Sequence, residues 1–226
     1  MFYRFACWVI WVLVRLLTRC EVVGRERVPR EGPLIVVSNH LSLLDPPVLG
    51  MLMPRKVIFM AKEELFRPPL GWMVRGYEAF PVRRGEPDRQ ALRRSLEVLR
   101  QGLALGLFPE GHRSPRGSLQ LGQPGVALVA LQSGAPILPV AITGTADVWN
   151  WPGILKRRRM RFVFGEPFFL SSESSARSNA RGRLAAATTE IMTRLAQLLP
   201  PEQRGVYAEI GAEIGKEQGQ LEDLAS

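Results

Sequence analysis

Short apolar runs recur along the chain, each bounded by Gly, Pro or charged residues. "PLIVVS" (33–38), "KVIFMA" (56–61), "YEAFPV" (77–82), "LALGLF" (103–108), "PILPVAI" (136–142) and "RMRFVFG" (159–165) have the length and the boundaries of strands. Between them, residues 46–53, 69–74, 88–101 and 124–134 predict helices. Over 88–101, Leu92, Leu96 and Leu99 fall at helical spacing, with Arg93, Arg94 and Arg100 on the wet side. Gly134 closes the helix before "PILPVAI", and a last helix over 178–199 stops at Pro200 and Pro201. Strands and helices taking turns predict an α/β fold: one domain with a mixed, largely parallel sheet flanked by helices. A chain of 226 residues suits one sizeable core rather than two.

The two ends depart from this alternation. "MFYRFACWVIWVLVRLLTRC" is apolar from Phe5 to Val14, but Arg15 interrupts it short of the roughly 20 residues a spanning helix needs. No small-residue cleavage site follows, so a signal peptide is not expected. Phe2, Tyr3, Trp8 and Trp11 stand beside Arg4, Arg15 and Arg19, which suits a helix over residues 1–20 lying in a membrane interface. The alternative is a short apolar helix packed on the domain. The domain itself is expected over 21–199. Residues 200–226 are polar and Gly-punctuated, with Glu202, Glu209, Glu213, Glu217, Glu222 and Asp223 against Arg204 and Lys216, and predict a frayed or weakly helical tail.

Charge narrows the partners. The chain carries a net +9 although its tail is acidic, so the folded part is more basic than the whole and attracts polyanions. Nucleic acid fits poorly, because aromatic residues are not interleaved with the basic ones. The best candidate, "LKRRRMR" (155–161), runs on into "FVFG" as a strand edge would. Cys7 and Cys20 show neither metal-type spacing nor a disulfide framework, and read as small apolar fillers in a reducing compartment.

Ligands of open α/β sheets gather beyond the carboxyl ends of the strands. "SNHLSLLD" occupies such a place and contains His40, one of only two histidines. Five helical steps would set His40 and Asp45 about 140° apart. With His40 on the turn and Asp45 on the first helical turn, however, the carboxylate can reach Nδ1, fix the tautomer and leave Nε2 as a general base. The competing reading makes Asp45 an N-cap ahead of Pro46. Other strand ends add cations: "FPVRRG" (80–85), and "LFPEGHRSPRG" (107–117), whose Glu110, Gly111, Arg113 and backbone amides suit an anionic ligand.

"NHLSLLD", "FPVRRG", "FPEGHRS" and "PILPV", in that order, resemble the four blocks of the glycerophospholipid acyltransferase family, typified by 1-acylglycerol-3-phosphate acyltransferase. The resemblance spans approximately residues 28–199. It implies that His40 is the catalytic base, Asp45 its orienting partner and Asn39 a support of the loop. It also implies that Lys62, Arg84, Glu110, Gly111 and Arg113 serve the acceptor's phosphate and Pro139 the acyl side. Two positions depart from the family pattern: His112, where Thr is common, and Gln123, where Lys is frequent. The implied reaction moves a fatty acyl group from a thioester, acyl-CoA or acyl carrier protein, to a lysophospholipid hydroxyl, foremost that of 1-acylglycerol 3-phosphate to give phosphatidic acid. Glycerol 3-phosphate, a lyso-ornithine lipid or a glycolipid are alternative acceptors, and a non-catalytic lipid-binding protein is the reading from another class. The resemblance implies no bound cofactor or metal, and no covalent acyl-enzyme is expected, since neither cysteine lies in a block and G-x-S-x-G is absent. Membrane lipids are the expected partners and nucleic acid is not. The expected location is monotopic, on the cytoplasmic face of a bacterial inner membrane.

Overall fold

Seven strands form one sheet in the computed structural model, which describes residues 2–69, 71–83, 88–146, 158–171 and 179–208. The strands are β1 (Arg19–Val23), β2 (Leu34–Ser38), β3 (Val57–Lys62), β4 (Phe80–Val82), β5 (Ala104–Leu107), β6 (Ile137–Thr143) and β7 (Arg159–Phe164). The principal helices are α1 (Phe2–Leu17), α2 (Asp45–Leu52), α3 (Gly71–Gly76), α4 (Arg89–Arg100), α5 (Pro124–Ser133) and α6 (Ala180–Gln197). Spatial order is β1-β7-β6-β2-β5-β3-β4, and every neighbouring pair is parallel except β6 with β7. This is the mixed, largely parallel α/β sheet that the alternation of elements predicts.

The three central strands explain the unbroken apolar runs. β2, β5 and the first six residues of β6 are buried throughout, because helices cover both faces. β7 alternates instead: Met160, Phe162 and Phe164 face the interior while Arg159 and Arg161 are exposed. One core lies under α4, α5 and α6 and includes Ile35, Val37, Leu105, Ile137, Ile191 and Leu195. The other lies under α1 and α2 and includes Leu34, Val36, Leu49, Phe59, Leu138 and Phe162. Helix ends follow their residues. Asp88 caps α4 by accepting from the Ala91 N–H, Asn179 caps α6 by accepting from the Gly182 N–H, and Gly134 ends α5 at φ 62°.

Three boundaries differ from the sequence expectation. The sheet starts at Arg19 rather than after residue 20: β1 is an edge strand of mixed exposure whose charged residues hide its pairing with β7. β4 is shorter than 77–82, because Tyr77 and Glu78 close α3 in a turn, with Glu78 in the left-handed region at φ 56°. The packed chain also runs past Leu199. Pro201–Gln203 and Gly205–Tyr207 form 3-10 turns, and the Tyr207 ring joins the core under α5 and α6. An aromatic ring that finds a core site outweighs the polar composition around it.

α1 packs Ile10 and Val14 against the core, and its Tyr3 hydroxyl donates to the Gly50 carbonyl at 3.3 Å. Its other face presents Phe5, Trp8, Trp11, Leu13 and Leu16 to solvent. Among the described residues no helix is long and apolar enough to cross a membrane.

Candidate active site

The turn after β2 is fastened to β6 before any chemistry is considered. The Asn39 side chain donates from Nδ2 to the Ile142 carbonyl and accepts at Oδ1 from the Ile142 N–H, both at 2.8 Å. This two-point pairing continues the β2–β6 ladder with a side-chain amide in place of backbone. His40 follows and is held through its own backbone: its N–H donates to Glu110 Oε1 at 2.8 Å, and its carbonyl accepts from the Ser114 N–H at 2.8 Å.

Asp45 is the first residue of α2 and turns back onto the loop. Its Oδ2 lies 2.8 Å from His40 Nδ1 and accepts from the N–H groups of Leu41 at 2.6 Å and Ser42 at 2.7 Å. Its Oδ1 accepts from the Thr145 hydroxyl at 2.6 Å. The N-cap reading is therefore corrected: Leu44 stands at the cap position and no side chain caps the helix, while Asp45 serves the turn before it. An acceptor already fed by three other donors demands a proton on Nδ1, which leaves the lone pair of His40 on Nε2. Nε2 makes no hydrogen bond among the described residues and is not among the polar atoms sealed inside. Phe108 stacks on the imidazole, with ring centroids 4.2 Å apart and 24° between planes, fixing its plane from one side. His40 is 5% exposed and Asp45 wholly buried, so the pair works in a low-dielectric setting where its polarity counts for more.

Glu110 joins the second loop to the first. Each carboxylate oxygen takes one backbone N–H, His40 at 2.8 Å and Gln120 at 2.9 Å. Burial raises the Glu110 pKa above the usual carboxylate value, against the pull of these two amides and of His112. Gly111 then reverses the chain at φ 72°, a conformation that L side chains rarely adopt, and its N–H donates to the Phe108 carbonyl. Arg113, His112 and Gln123 are exposed on this loop, and Arg113 forms no ion pair among the described residues. Lys62 stands at the carboxyl end of β3, paired with Glu64 at 3.0 Å, and Arg83 at the end of β4 pairs with Glu63 at 3.1 Å.

His40, Asp45 and Glu110 are thus one hydrogen-bonded unit, with Asn39 and Gly111 beside it in the chain. Lys62 ends β3 and Arg113 lies on the loop after β5, at the carboxyl ends of parallel neighbours, and no hydrogen bond or ion pair among the described residues joins either side chain to that unit. Arg84 lies outside the described residues. Pro139 is in the middle of buried β6, opposite Val37 and bonded through its carbonyl to the Gly165 N–H. It is a part of the sheet rather than of the loop cluster. Thr145 and Phe108 were not legible as members of the site. The signal for Thr145 is slight: "TGT" after an apolar run, in which Gly144 at φ 79° crosses so near the Arg159 carbonyl that a Cβ would sit 2.0 Å from its oxygen.

An imidazole backed by a buried carboxylate at the carboxyl ends of a parallel sheet is an arrangement that can serve as a general base, and among the described residues no Ser or Cys side chain is hydrogen-bonded to the His40 ring. Comparison with known proteins fixes the class. A family model described as Acyltransferase matches residues 19–143, more than half of the chain, and the protein belongs to the acyltransferase family. It is 27% identical over 198 residues to the 1-acyl-sn-glycerol-3-phosphate acyltransferase of Bacillus subtilis, covering 87% of this chain and 96% of that one. A lyso-ornithine lipid O-acyltransferase of Pseudomonas aeruginosa is 35% identical over 141 residues, 61% of this chain and 54% of the relative. Among solved structures, the 1-acyl-sn-glycerophosphate acyltransferase PlsC of Thermotoga maritima superposes with a TM-score of 0.63 at 27% identity, covering 84% of this chain and 75% of the other.

Proposed function

We propose that this acyltransferase moves a fatty acyl group from a phosphopantetheine thioester, acyl-CoA or acyl carrier protein, to the free hydroxyl of 1-acylglycerol 3-phosphate. The observation that carries the reading is the His40–Asp45 pair joined through Glu110 to the loop that presents Arg113. His40 Nε2 takes the hydroxyl proton as the oxygen attacks the thioester carbonyl. Asp45 stabilises the imidazolium that forms, and that imidazolium returns its proton to the departing thiolate, leaving ester and free thiol. General-base help of this kind is worth about 10²–10⁴-fold, so holding the two substrates together has to supply much of the remaining acceleration. In this reading Lys62, Arg84 and Arg113 hold the acceptor's phosphate, Asn39, Glu110 and Gly111 shape the loops, and Pro139 lies on the acyl side.

Both substrate and product are amphiphiles, and the exposed aromatic face of α1 suits a monotopic attachment to the bilayer. On this reading the enzyme works at the cytoplasmic face of a bacterial inner membrane, where thioester donors are made.

A second acceptor has specific support. The relative named for lyso-ornithine lipid acylation is the more similar of the two over its matched span, and Gln123 removes a cation that the family often places beside the loop. Release of free thiol from acyl-CoA and from acyl carrier protein, with 1-acylglycerol 3-phosphate, glycerol 3-phosphate, lyso-ornithine lipid and acylglycerol offered in turn, tests both. Fastest release with 1-acylglycerol 3-phosphate supports the reading. Preference for an acceptor without phosphate overturns it in favour of the second.

A further inference from the structure

The limb that returns from the Glu110 loop to α5, residues 118–123, has its backbone held by the C-terminal segment. The Leu119 N–H donates to the Gln203 carbonyl at 2.8 Å, and the Gly122 N–H donates to the Tyr207 hydroxyl at 3.1 Å. Between these two bonds Gly205, at φ 54°, passes so close that a Cβ would stand 2.0 Å from the Leu119 carbonyl oxygen. Leu119 and Tyr207 are 2% and 6% exposed and share one core, so the segment is seated by apolar burial as well as by hydrogen bonds.

The same limb supplies one of the two donors to Glu110. Gln120 N–H holds Oε2 while His40 N–H holds Oε1, so a bonded path runs from the Tyr207 hydroxyl through residues 120–122 and the Glu110 carboxylate to the backbone of the catalytic histidine. The loop that this path closes, residues 110–123, also carries His112, Arg113 and Arg116, all exposed. Arg113 has no ion-pair partner among the described residues, so its place is set by the backbone beneath it and not by a charge beside it.

We infer that Tyr207 is a positioning residue: its hydroxyl, with the Gln203 carbonyl, clasps the 110–123 loop so that Arg113 meets the acceptor's anionic group. The inference rests on the proposed phosphorylated acceptor for its kinetic readout, but its physical content is the ordering of that loop. A clasp of one hydroxyl and one carbonyl acts on the acceptor side, because the His40–Asp45 geometry is independently fixed by Asn39, Thr145 and the amides of Leu41 and Ser42. Losing a single neutral hydrogen bond shifts an equilibrium by about two- to tenfold.

Tyr207→Phe keeps the buried ring and removes only the hydroxyl. Hydrogen–deuterium exchange and steady-state kinetics on the full-length wild type and this variant test the clasp. The expected result is faster exchange across residues 110–123 with α2 and α4 unchanged. With it, KM for 1-acylglycerol 3-phosphate rises about two- to tenfold at unchanged KM for acyl-CoA. Gly205→Ala, which drives the segment off Leu119, should give the same signature more strongly. Unchanged exchange in 110–123 overturns the inference, as does a rise in KM for both substrates alike with a lowered melting temperature, the mark of a merely structural tyrosine. Exchange is read without turnover, so a wild-type enzyme inert toward 1-acylglycerol 3-phosphate would defeat the acceptor assignment while the clasp is still judged on loop exchange alone.

Discussion

The Thr145 hydroxyl, just beyond the end of β6, donates to Asp45 Oδ1 at 2.6 Å, while the other oxygen of that carboxylate faces His40 Nδ1 at 2.8 Å. The two bonds hold the carboxylate at both of its oxygens. Thr145→Val keeps the shape and removes the donor. A hydrogen bond to a charged group is worth about 1.5–3 kcal/mol, so kcat should fall about 10- to 100-fold, with Thr145→Ser recovering most of it. Steady-state rates at saturating substrates check this, and equal rates for Val and wild type would remove Thr145 from the site.

Asp45→Asn tests the partner itself. An amide that keeps its oxygen toward the turn amides and Nδ1 turns its NH2 to the Thr145 hydroxyl and loses the negative charge that stabilises the imidazolium. The expected loss is about 10²–10⁴-fold in kcat with KM for the acceptor within about threefold. An effect confined to KM would return Asp45 to a structural part.

Glu110 gives a pH signature whose sign follows from its burial. Its pKa is raised in the folded chain, so the group favours folding most when pH is below the unfolded value, about 4.3, and that contribution is lost as pH rises through the higher folded value. Glu110→Gln lacks this titration. In urea denaturation of both proteins from pH 7 to pH 4.5, wild type should therefore gain stability relative to the variant on acidification. A difference independent of pH, or one of opposite sign, contradicts the assignment.

Arg113→Ala should raise KM for 1-acylglycerol 3-phosphate by about tenfold or more, the scale of a charge-assisted hydrogen bond, with KM for the thioester unchanged. Lys62 is held by Glu64 in the free protein, and Glu64→Gln should lower the acceptor's KM modestly, because exposed pairs of this kind contribute about 0–1 kcal/mol. Substrate titrations of both variants read the two effects.

Trp8 and Trp11 lie on the exposed face of α1, 59% and 47% exposed. Replacing both by Ser should reduce co-sedimentation with anionic phospholipid vesicles by about tenfold or more, since each ring withdraws a large apolar area from water on binding. Undiminished binding would place the membrane contact elsewhere.

The sheet was legible because its central strands are buried on both faces, and burial on both faces writes itself as unbroken runs such as "LIVVS" and "ILPVAIT". The His40–Asp45 contact was legible as one of two readings: strand, short turn and Pro-led helix allow the carboxylate to fold back or to cap the helix, and the resemblance of the four blocks favoured the first. What stayed hidden depends on distance in sequence. Thr145 reaches Asp45 across 100 residues and Gly122 reaches Tyr207 across 85, and neither bond leaves any local periodicity. β1 was masked by Arg19 and Glu21, whose exposure at a sheet edge reads as loop. The packing of residues 201–207 was not legible because one buried tyrosine, not the composition of its neighbours, draws that stretch onto the core.

The most direct measurement of the central claim is single-turnover thiol release by His40→Ala, beside its melting temperature and that of wild type. The account predicts a fall of at least about 10³-fold with a fold that still melts cooperatively, because no other group among the described residues stands where Nε2 does to take the hydroxyl proton. Release within tenfold of wild type would contradict it.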